Sequence, residues 1–579
     1  MCGVYGITYP DRDYIQRYID VCKHRGPDGE DIWNDDHITL GHNLLSIQDK
    51  PAVSKQPWHT PKGNVLSYNG EIFNYPALCE KYKKTFTPRT TCDTELLAWG
   101  LDNFGLEFIK EIDSMHGFAF YEPKKQLLTL SRDHAGIKPM YFAEIPGGLA
   151  FGSEIKGLLE KVPGARTIDT LAFSCLNMTG MNITDHTFFK GIRRLMAGET
   201  LTYDIKQKRF VGKQRYLIKP VSTQKFEEEA FREVARESVR QCAIGLRKIG
   251  VFLSGGLDSS LVAYELKQYM GKVNSFTNRM NPGHIEGKED YNEDSRVAWN
   301  MASELGYNHH DVEITPKIVA KYWKDSIYYM EQPTYHPSLA MYCYTNKFLH
   351  DNDIVVTMAG DMGDEVLGGY PSYWKIHHGS RQRRILNKDN MTSWRDVITL
   401  WTHRIKRPMN FRGEIQIKRE DLIDHLLTIY PEDLWNERDQ LGSYMALDCV
   451  TQVPEDFFAR NDKFGMAYGM EGRFPLATKK FMEHCMSIHS IQKIGTFKNM
   501  SKIMTQKAYV DRLPNYVLYK AKTGWTTPTQ AWYSKGSPEL KFLKQNNVIN
   551  VDEVANHQRK AIIPAHVLDT WLKIYKMKI

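Results

Sequence analysis

Three places in the 579-residue chain combine residue types and spacings that can do chemistry. The first is Cys2, which becomes the leading residue once Met1 is removed, as its small side chain permits. An α-amine titrates near ~7.7–8, so much of it is free base at neutral pH and can take the proton of its own thiol, directly or through a water. The second is Leu253-Ser254-Gly255-Gly256-Leu257-Asp258-Ser259-Ser260, preceded by a short apolar run and opening a helical pattern through Leu261, Tyr264 and Leu266. Two glycines let backbone N–H groups turn inward, the serine hydroxyls add donors, and a helix N-terminus contributes a favourable dipole; together these make a phosphate site. No Gly-Lys-Ser/Thr follows, so this is not a Walker loop. The third is the acidic run Gly360-Asp361-Met362-Gly363-Asp364-Glu365. Its carboxylates suit Mg²⁺, which takes one or two carboxylates plus phosphate oxygens.

The elements that must position these residues change character near residue 220. Before it, short apolar runs such as Ile38-Thr39-Leu40 and Gly117-Phe118-Ala119-Phe120-Tyr121 are punctuated by Gly, Pro, Asn and Asp, which predicts a strand-rich α+β domain. After Lys219-Pro220-Val221-Ser222-Thr223-Gln224, helical patterns dominate; Phe226, Ala230, Val234 and Val239 recur at helical spacing over 226–242. Two buried-strand candidates, Gly250-Val251-Phe252-Leu253 and Asp353-Ile354-Val355-Val356, each precede a Gly-rich turn and a helical pattern. That order predicts a parallel sheet with ligands at the carboxyl ends of its strands. The domains are therefore placed at 1–215 and 226–579, with a linker at 216–225.

Composition sets the class. With 42% hydrophobic and 25% charged residues over this length, the chain reads as a folded, multidomain globular protein. The 76 basic and 69 acidic residues leave a charge of +7, too thin to imply a nucleic-acid partner. The runs Arg381-Gln382-Arg383-Arg384 and His403-Arg404-Ile405-Lys406-Arg407 read as solvated faces. No stretch approaches the ~18 apolar residues of a membrane span, and the N-terminus lacks the basic flank and apolar run of an export signal. Nine widely spread cysteines without a Cys-x-x-Cys pair fit reduced thiols, so a cytoplasmic location is expected. His309-His310 has no metal-ligand partner at a sensible spacing, and the methionines Met466, Met470, Met500 and Met504 read as core filler.

Cys2 is accompanied by His24-Arg25-Gly26-Pro27-Asp28, Tyr68-Asn69-Gly70-Glu71-Ile72-Phe73-Asn74, Asp93-Thr94-Glu95 and Arg132-Asp133-His134-Ala135-Gly136-Ile137-Lys138-Pro139. Together these resemble the glutaminase domain of class II glutamine amidotransferases, over residues 2–200. The resemblance implies Cys2 as nucleophile on the side-chain amide of glutamine, with Asn69 and the Gly70 N–H as oxyanion hole and Glu71 and Asp93 holding the α-amino end. The Ser254 to Ser260 loop resembles the pyrophosphate loop of ATP pyrophosphatases. The run Ala359 to Tyr370 resembles a segment of asparagine synthetases. So do Glu331-Gln332-Pro333, Arg460-Asn461-Asp462-Lys463-Phe464-Gly465-Met466-Ala467, Gly469-Met470-Glu471-Gly472-Arg473-Phe474-Pro475 and Lys522-Thr523-Gly524-Trp525-Thr526-Thr527-Pro528 with Trp532.

The fold this implies is an αββα N-terminal-nucleophile hydrolase sandwich followed by an α/β parallel-sheet ATP pyrophosphatase domain with many helices. The activity implied is adenylation of a carboxylate with Mg²⁺-ATP and its amidation by ammonia that travels from the glutaminase site through an internal channel. Leu253, Ser254, Gly255, Gly256, Asp258, Ser259, Ser260 and Gly360 would then bind ATP. Asp258 and Asp364 would bind Mg²⁺, Asp361, Asp364 and Glu365 the acceptor, and Lys502 would neutralise phosphate charge. Aspartate is the default acceptor, and a homodimer is left open.

Six positions depart from the family pattern: Met362 and Gly363 stand for Gly-Ser and Thr478 for an aspartate, and three others bear on the substrates. Leu44, in His42-Asn43-Leu44-Leu45-Ser46-Ile47, stands where an arginine usually clamps the α-carboxylate of glutamine. A lost charge-assisted contact costs ~1.5–3 kcal/mol. Weak binding, replacement by another residue such as Arg89, or a different donor all follow from it, and the retained Cys2, Asn69, Gly70 and Asp93 favour weakened or rewired glutamine use. Asp361 is one methylene shorter than the usual glutamate, and Ala359 replaces a serine, which opens the acceptor to a carboxylate on a sugar, peptide or nucleotide. The retained Cys2 argues against an intramolecular amide-forming enzyme, and the intact glycine-serine loop against a non-catalytic scaffold.

Overall fold

In the computed structural model, the described residues are 2–281, 290–336, 338–378, 391–403, 416–495, 500–521, 527–534, 536–555 and 559–578. Seventeen strands are described: β1 (Cys2–Ile7), β2 (Gly29–Asn34), β3 (Thr39–Leu44), β4 (Trp58–His59), β5 (Val65–Ile72), β6 (Ser114–Glu122), β7 (Leu127–Arg132), β8 (Tyr141–Ile145), β9 (Gly148–Gly152), β10 (Arg193–Arg194), β11 (Glu199–Asp204), β12 (Arg209–Arg215), β13 (Ile249–Phe252), β14 (Asn274–Met280), β15 (Asn308–Ile314), β16 (Val356–Met358) and β17 (Glu471–Arg473).

The first twelve form two six-stranded sheets, ordered β10-β8-β9-β1-β3-β2 and β12-β11-β7-β6-β5-β4. Side chains alternate across each strand, so one face of each sheet meets the other sheet and the opposite face is free for helices. Val4, Leu40, Val65, Leu130 and Phe151 fill the space between the sheets. On the outer side Tyr5 and Ile7 pack with Tyr14, Ile15, Tyr18 and Ile19 of the helix Arg12–Val21. On the other outer side Leu66, Tyr68, Phe118 and Phe120 pack with Leu96, Leu97 and Leu101 of the helix Asp93–Phe104. The result is a helix, sheet, sheet, helix sandwich.

The last five strands form one parallel sheet, ordered β15-β14-β13-β16-β17. The chain leaves β13 towards β14 and β15, then returns to the other flank of β13 as β16. Strand order therefore reverses between β13 and β16, and an α/β sheet opens its ligand crevice at the carboxyl ends beside such a point. The second strand begins later than the sequence pattern predicts. Asp353, at φ 61°, closes the turn after the helix Leu339–His350, with Ile354 N–H donating to the Leu349 carbonyl at 3.1 Å. Pairing with β13 starts only at Val356, opposite Ile249.

The segment after β12 is irregular and pinned to the second half, Ser222 donating to Asp439 at 2.6 Å and Gln224 N–H to the Ser487 carbonyl at 2.8 Å. The helix Ile562–Tyr575 crosses back to the first half. Its Trp571 lies against Phe189 with ring centroids 5.1 Å apart, and Lys578 N–H donates to the Arg166 carbonyl at 2.6 Å. Both halves therefore share core with the C-terminal helix.

Among the described residues no helix is long and apolar enough to cross a membrane. His309 meets the Ser275 hydroxyl at 2.9 Å, and His310 stacks on Phe276. Met466, Met470 and Met504 are buried, but Met500 is exposed and so does not fill the core. The basic run 381–384, all but His403 of the second basic run, and Lys522 to Thr526 lie outside the described residues.

Candidate active sites

Cys2 is buried at the start of β1, directly opposite Leu44 of β3. Its backbone nitrogen, the future α-amine, donates to Asn69 Oδ1 at 2.9 Å. The other end of that amide, Asn69 Nδ2, is buried without a hydrogen-bond partner, a donor held ready beside the thiol. Next to it, Gly70 could not carry a side chain, since a Cβ there would stand 2.2 Å from the Met115 carbonyl oxygen. Burial pushes the Cys2 thiol up from its ordinary pKa.

Asp93 opens the helix Asp93–Phe104 and accepts hydrogen bonds from Tyr68 Oη (3.0 Å) and the Ile72 N–H (2.9 Å). Burial raises its carboxyl to about 6. Glu71 is pushed up to about 8, again by burial, despite Gln48 Nε2 donating to it and Arg473 Nη2 lying 3.0 Å away. Asn69, Gly70, Glu71 and Asp93 are thus gathered with Cys2. Arg89 is turned away. Its Nε bonds Glu95 at 2.9 Å, its plane lies over Trp58, and its side chain is 68% exposed, so it does not replace a clamp at position 44.

The second site borders the carboxyl ends of β13 and β16, as a cavity of about 430 Å³. Leu253, Ser254, Gly256, Asp258 and Ser259 line it from one side; Gly360, Asp361, Asp364 and Glu365 line it from the other, with Lys502 between. The loop is braced internally, Ser254 and Ser259 hydroxyls being 3.0 Å apart and Ser259 donating to the Gly256 carbonyl at 3.0 Å. Gly255 does not line the cavity, but its φ of +72° makes the turn, and a Cβ there would meet the Asp294 carbonyl oxygen at 2.3 Å. Ser260 also stays off the cavity, with its hydroxyl buried.

Lys502 is 5% exposed, its ammonium held between Asp258 Oδ2 and Asp364 Oδ1, the latter at 2.7 Å. Burial alone would lower its pKa; the two carboxylates outweigh that and raise it. Asp258 and Asp364 therefore converge on one point, and two carboxylates completed by phosphate oxygens form a donor set that Mg²⁺ accepts. Among the described residues no group of three or more His, Cys, Asp or Glu side chains is placed to hold a metal by itself. Burial raises Asp361 to about 6, with Arg460 opposing, and raises Glu365 to about 8, with the Asp364 charge adding and Tyr370 Oη donating at 2.7 Å.

The cavity also contains His336, Tyr342 and Lys520, which no sequence spacing singled out, and Arg460, which the sequence marked only as part of a matching run. Arg460 lies over the rings of Tyr342 and Phe457, 5.1 Å from each centroid, and pairs with Asp456 at 2.9 Å. Tyr342 lies on the helix Leu339–His350, Arg460 on the helix Ala459–Met466 and Lys520 just after the helix Asn515–Leu518, and these approach only in three dimensions, so spacing carried no signal for these residues.

Buried ion pairs join the two sites. Arg25 Nε donates to the Cys2 carbonyl (3.1 Å), and its Nη1 reaches Glu154 (3.0 Å) and Asp462 (2.9 Å). Glu331 accepts the N–H groups of Ile155 (3.0 Å) and Lys156 (2.7 Å) and pairs with Lys463. Arg132 meets Glu455 at 3.1 Å, and His134 meets the Ala477 carbonyl at 3.0 Å. The family-resembling runs of the first half thus meet those of the second. Removing one member of such a buried pair costs about 3–5 kcal/mol, because the partner is left uncompensated.

Comparison with known proteins agrees with this arrangement. A glutamine amidotransferase domain model matches residues 1–217, and an asparagine synthase model matches residues 230–546. Asparagine synthetase [glutamine-hydrolyzing] 3 of Bacillus subtilis is 24% identical over 569 residues, covering 94% of this chain and 90% of that protein. Asparagine synthetase B [glutamine-hydrolyzing] of Escherichia coli is 24% identical, covering 90% and 81%. A putative asparagine synthetase [glutamine-hydrolyzing] 2 of Methanocaldococcus jannaschii is 28% identical, covering 64% and 76%. With a helix, sheet, sheet, helix sandwich matched over residues 1–217 by the glutamine amidotransferase domain model, and a parallel-sheet half matched by the asparagine synthase model, the chain belongs to the asparagine synthase family.

Proposed function

We propose that this enzyme cleaves glutamine at Cys2 and uses the ammonia to amidate an acceptor carboxylate, aspartate by default, with ATP as the energy source. The observation that carries the reading is the presence in one packed chain of a buried thiol beside a waiting amide donor and a glycine-serine loop facing a lysine-carboxylate cluster.

At the first site the free α-amine of Cys2 takes the thiol proton and the sulfur attacks the γ-amide carbon of glutamine. Asn69 Nδ2 and the Gly70 N–H carry the oxyanion, each such donor being worth roughly 3–4 kcal/mol. The C–N bond breaks and the nitrogen leaves with the proton as ammonia; water then cleaves the thioester to glutamate and restores the thiol. Glu71 and Asp93 hold the α-amino end.

At the second site an acceptor carboxylate oxygen attacks the α-phosphorus of ATP and pyrophosphate leaves. Ammonia attacks the acyl carbon, AMP departs, and the amide nitrogen loses a proton. The Leu253 to Ser260 loop and Gly360 hold the phosphates, Lys502 offsets their charge, and Asp361, Asp364 and Glu365 face the acceptor. Asp258 and Asp364 would hold Mg²⁺, which when bound neutralises phosphate charge. The buried contacts between the halves keep ammonia from bulk water, where protonation would remove its lone pair. A different acceptor carboxylate is a second reading, favoured by Asp361, the shorter acid beside Arg460 in the cavity wall.

Mass spectrometry of asparagine and AMP tests both readings, after incubation with ATP, Mg²⁺ and aspartate and either glutamine or ammonium. Asparagine from both nitrogen sources is the expected result. AMP only when another carboxylate is supplied would move the acceptor, and no AMP with any acceptor would overturn the synthetase assignment.

Gly360 provides a separate check on the loop. A Cβ there would stand 2.7 Å from both the Asp258 carbonyl carbon and the Ser259 nitrogen, so Gly360→Ala must push the two loops apart. Displacement by an ångström costs on the order of a hundredfold in rate. Acceptor-dependent pyrophosphate release is expected to fall by about that factor while glutamate release from glutamine is unchanged.

A further inference from the structure

Glutamine carries both an ammonium and a carboxylate at its α-carbon, so a pocket beside Cys2 needs a cation as well as acids. Acids are plentiful there: Glu71, Asp93 and Glu471 are all buried. The position opposite Cys2 is the buried, uncharged Leu44. Nearby cations of the first half are committed elsewhere. Arg25 is used by Cys2, Glu154 and Asp462, and Arg89 faces outward to Glu95; the buried Lys138 Nζ makes no hydrogen bond either, but the carboxylate it faces is Asp462, at 3.9 Å, and not Glu71. From the second half, Arg247 is taken by Asp28 at 2.6 Å and the Ser46 carbonyl at 2.8 Å.

Arg473, on the edge strand β17 of the parallel sheet, is differently placed. It is fully buried, with Nη1 donating to the Cys242 carbonyl at 2.8 Å and Nε to Glu471 at 2.5 Å. These anchors leave Nη2 directed at Glu71, 3.0 Å from Oε2, without hydrogen-bond geometry to any partner. That nitrogen has the Glu71 charge opposite it but no hydrogen bond, and a ligand carboxylate would supply one. The backbone next to Gln48 is also held by both halves. Leu246 N–H donates to the Ile47 carbonyl at 2.8 Å, one residue from Gln48, which itself donates to Glu71.

We propose that Arg473, supplied by the synthetase half, receives the α-carboxylate of glutamine in the glutaminase site and is a specificity-determining residue for the amide donor. This rests on the reading of Cys2 as the glutamine-cleaving nucleophile. Nη2 takes the carboxylate and Glu71, relieved of part of its pairing with Arg473, takes the α-ammonium, so the four charges pair two by two. The glutamine pocket is then complete only when the two halves are packed.

The test is steady-state glutamate release by full-length wild type, Arg473→Lys, the double variant Arg473→Lys with Leu44→Arg, and Cys2→Ala. Lysine keeps the charge but loses the planar two-point contact. Arg473→Lys is expected to raise KM for glutamine by about tenfold to a hundredfold with kcat within about threefold. An arginine at position 44, opposite Cys2, is expected to recover most of that KM. A KM within twofold of wild type in Arg473→Lys, or a fall in kcat that arginine at 44 does not rescue, would overturn the proposal and leave Arg473 a packing residue. Wild-type release that survives in Cys2→Ala would remove the underlying reading, and the proposal with it.

Discussion

Cys2→Ala is expected to lower glutamate release from glutamine by a factor on the order of 10⁴ or more, while amide formation driven by ammonium stays within about twofold of wild type. In the proposed reaction the sulfur is the atom that bonds to the substrate carbon, so no residual geometry substitutes for it. The change is otherwise mild. The backbone nitrogen that donates to Asn69 is retained, one buried sulfur is lost, and alanine still permits Met1 removal. Asn69 Nδ2 and Gly70 remain in place to bind glutamine, so the variant should still bind the donor that it cannot cleave. Both activities are to be read on the same preparation, glutamate release for the first site and ammonium-dependent AMP release for the second. Equal loss of both in a protein that retains its unfolding midpoint would mean that the two sites do not act separately.

Lys502→Met has the second large effect, on the other site. Methionine keeps much of the length but removes the charge that Asp258 and Asp364 share. Loss of one preorganised charge-stabilising group costs about 10²–10³ in rate, and pyrophosphate release is expected to fall by that much. Glutamate release should be unchanged throughout. Pyrophosphate release at the wild-type rate would sink the assignment of Lys502.

Much of both sites was legible because their chemistry is local. Cys2, the Asn69-Gly70-Glu71 run and the Ser254 to Ser260 loop each bring their working groups on consecutive residues, and the structure gathers Cys2 with Asn69, Glu71 and Asp93. Within the loop the residues take different places. Gly255 turns the chain and Ser260 is buried in the helix, since a helix presents only part of its first turn to a ligand. The strand expected at 353–356 formed three residues later because the left-handed Asp353 belongs to the preceding helix end, which apolar patterning does not register.

The sequence alone determined the two-part organisation and the class of each sheet, since these follow from strand and helix periodicity, while the role proposed for Cys2 came from the resemblance of short runs to a known family. Only the tertiary structure decided what lies across the interface. It placed Arg473 against Glu71, turned Arg89 away, and brought Arg460 and Lys520 into the cavity lined by Ser254, Asp258 and Lys502. It also returned the C-terminal helix to the first half. The physical reason is that a charge finds its partner by burial and distance, and Arg473 and Glu71 are separated by some 400 residues of chain yet lie 3.0 Å apart.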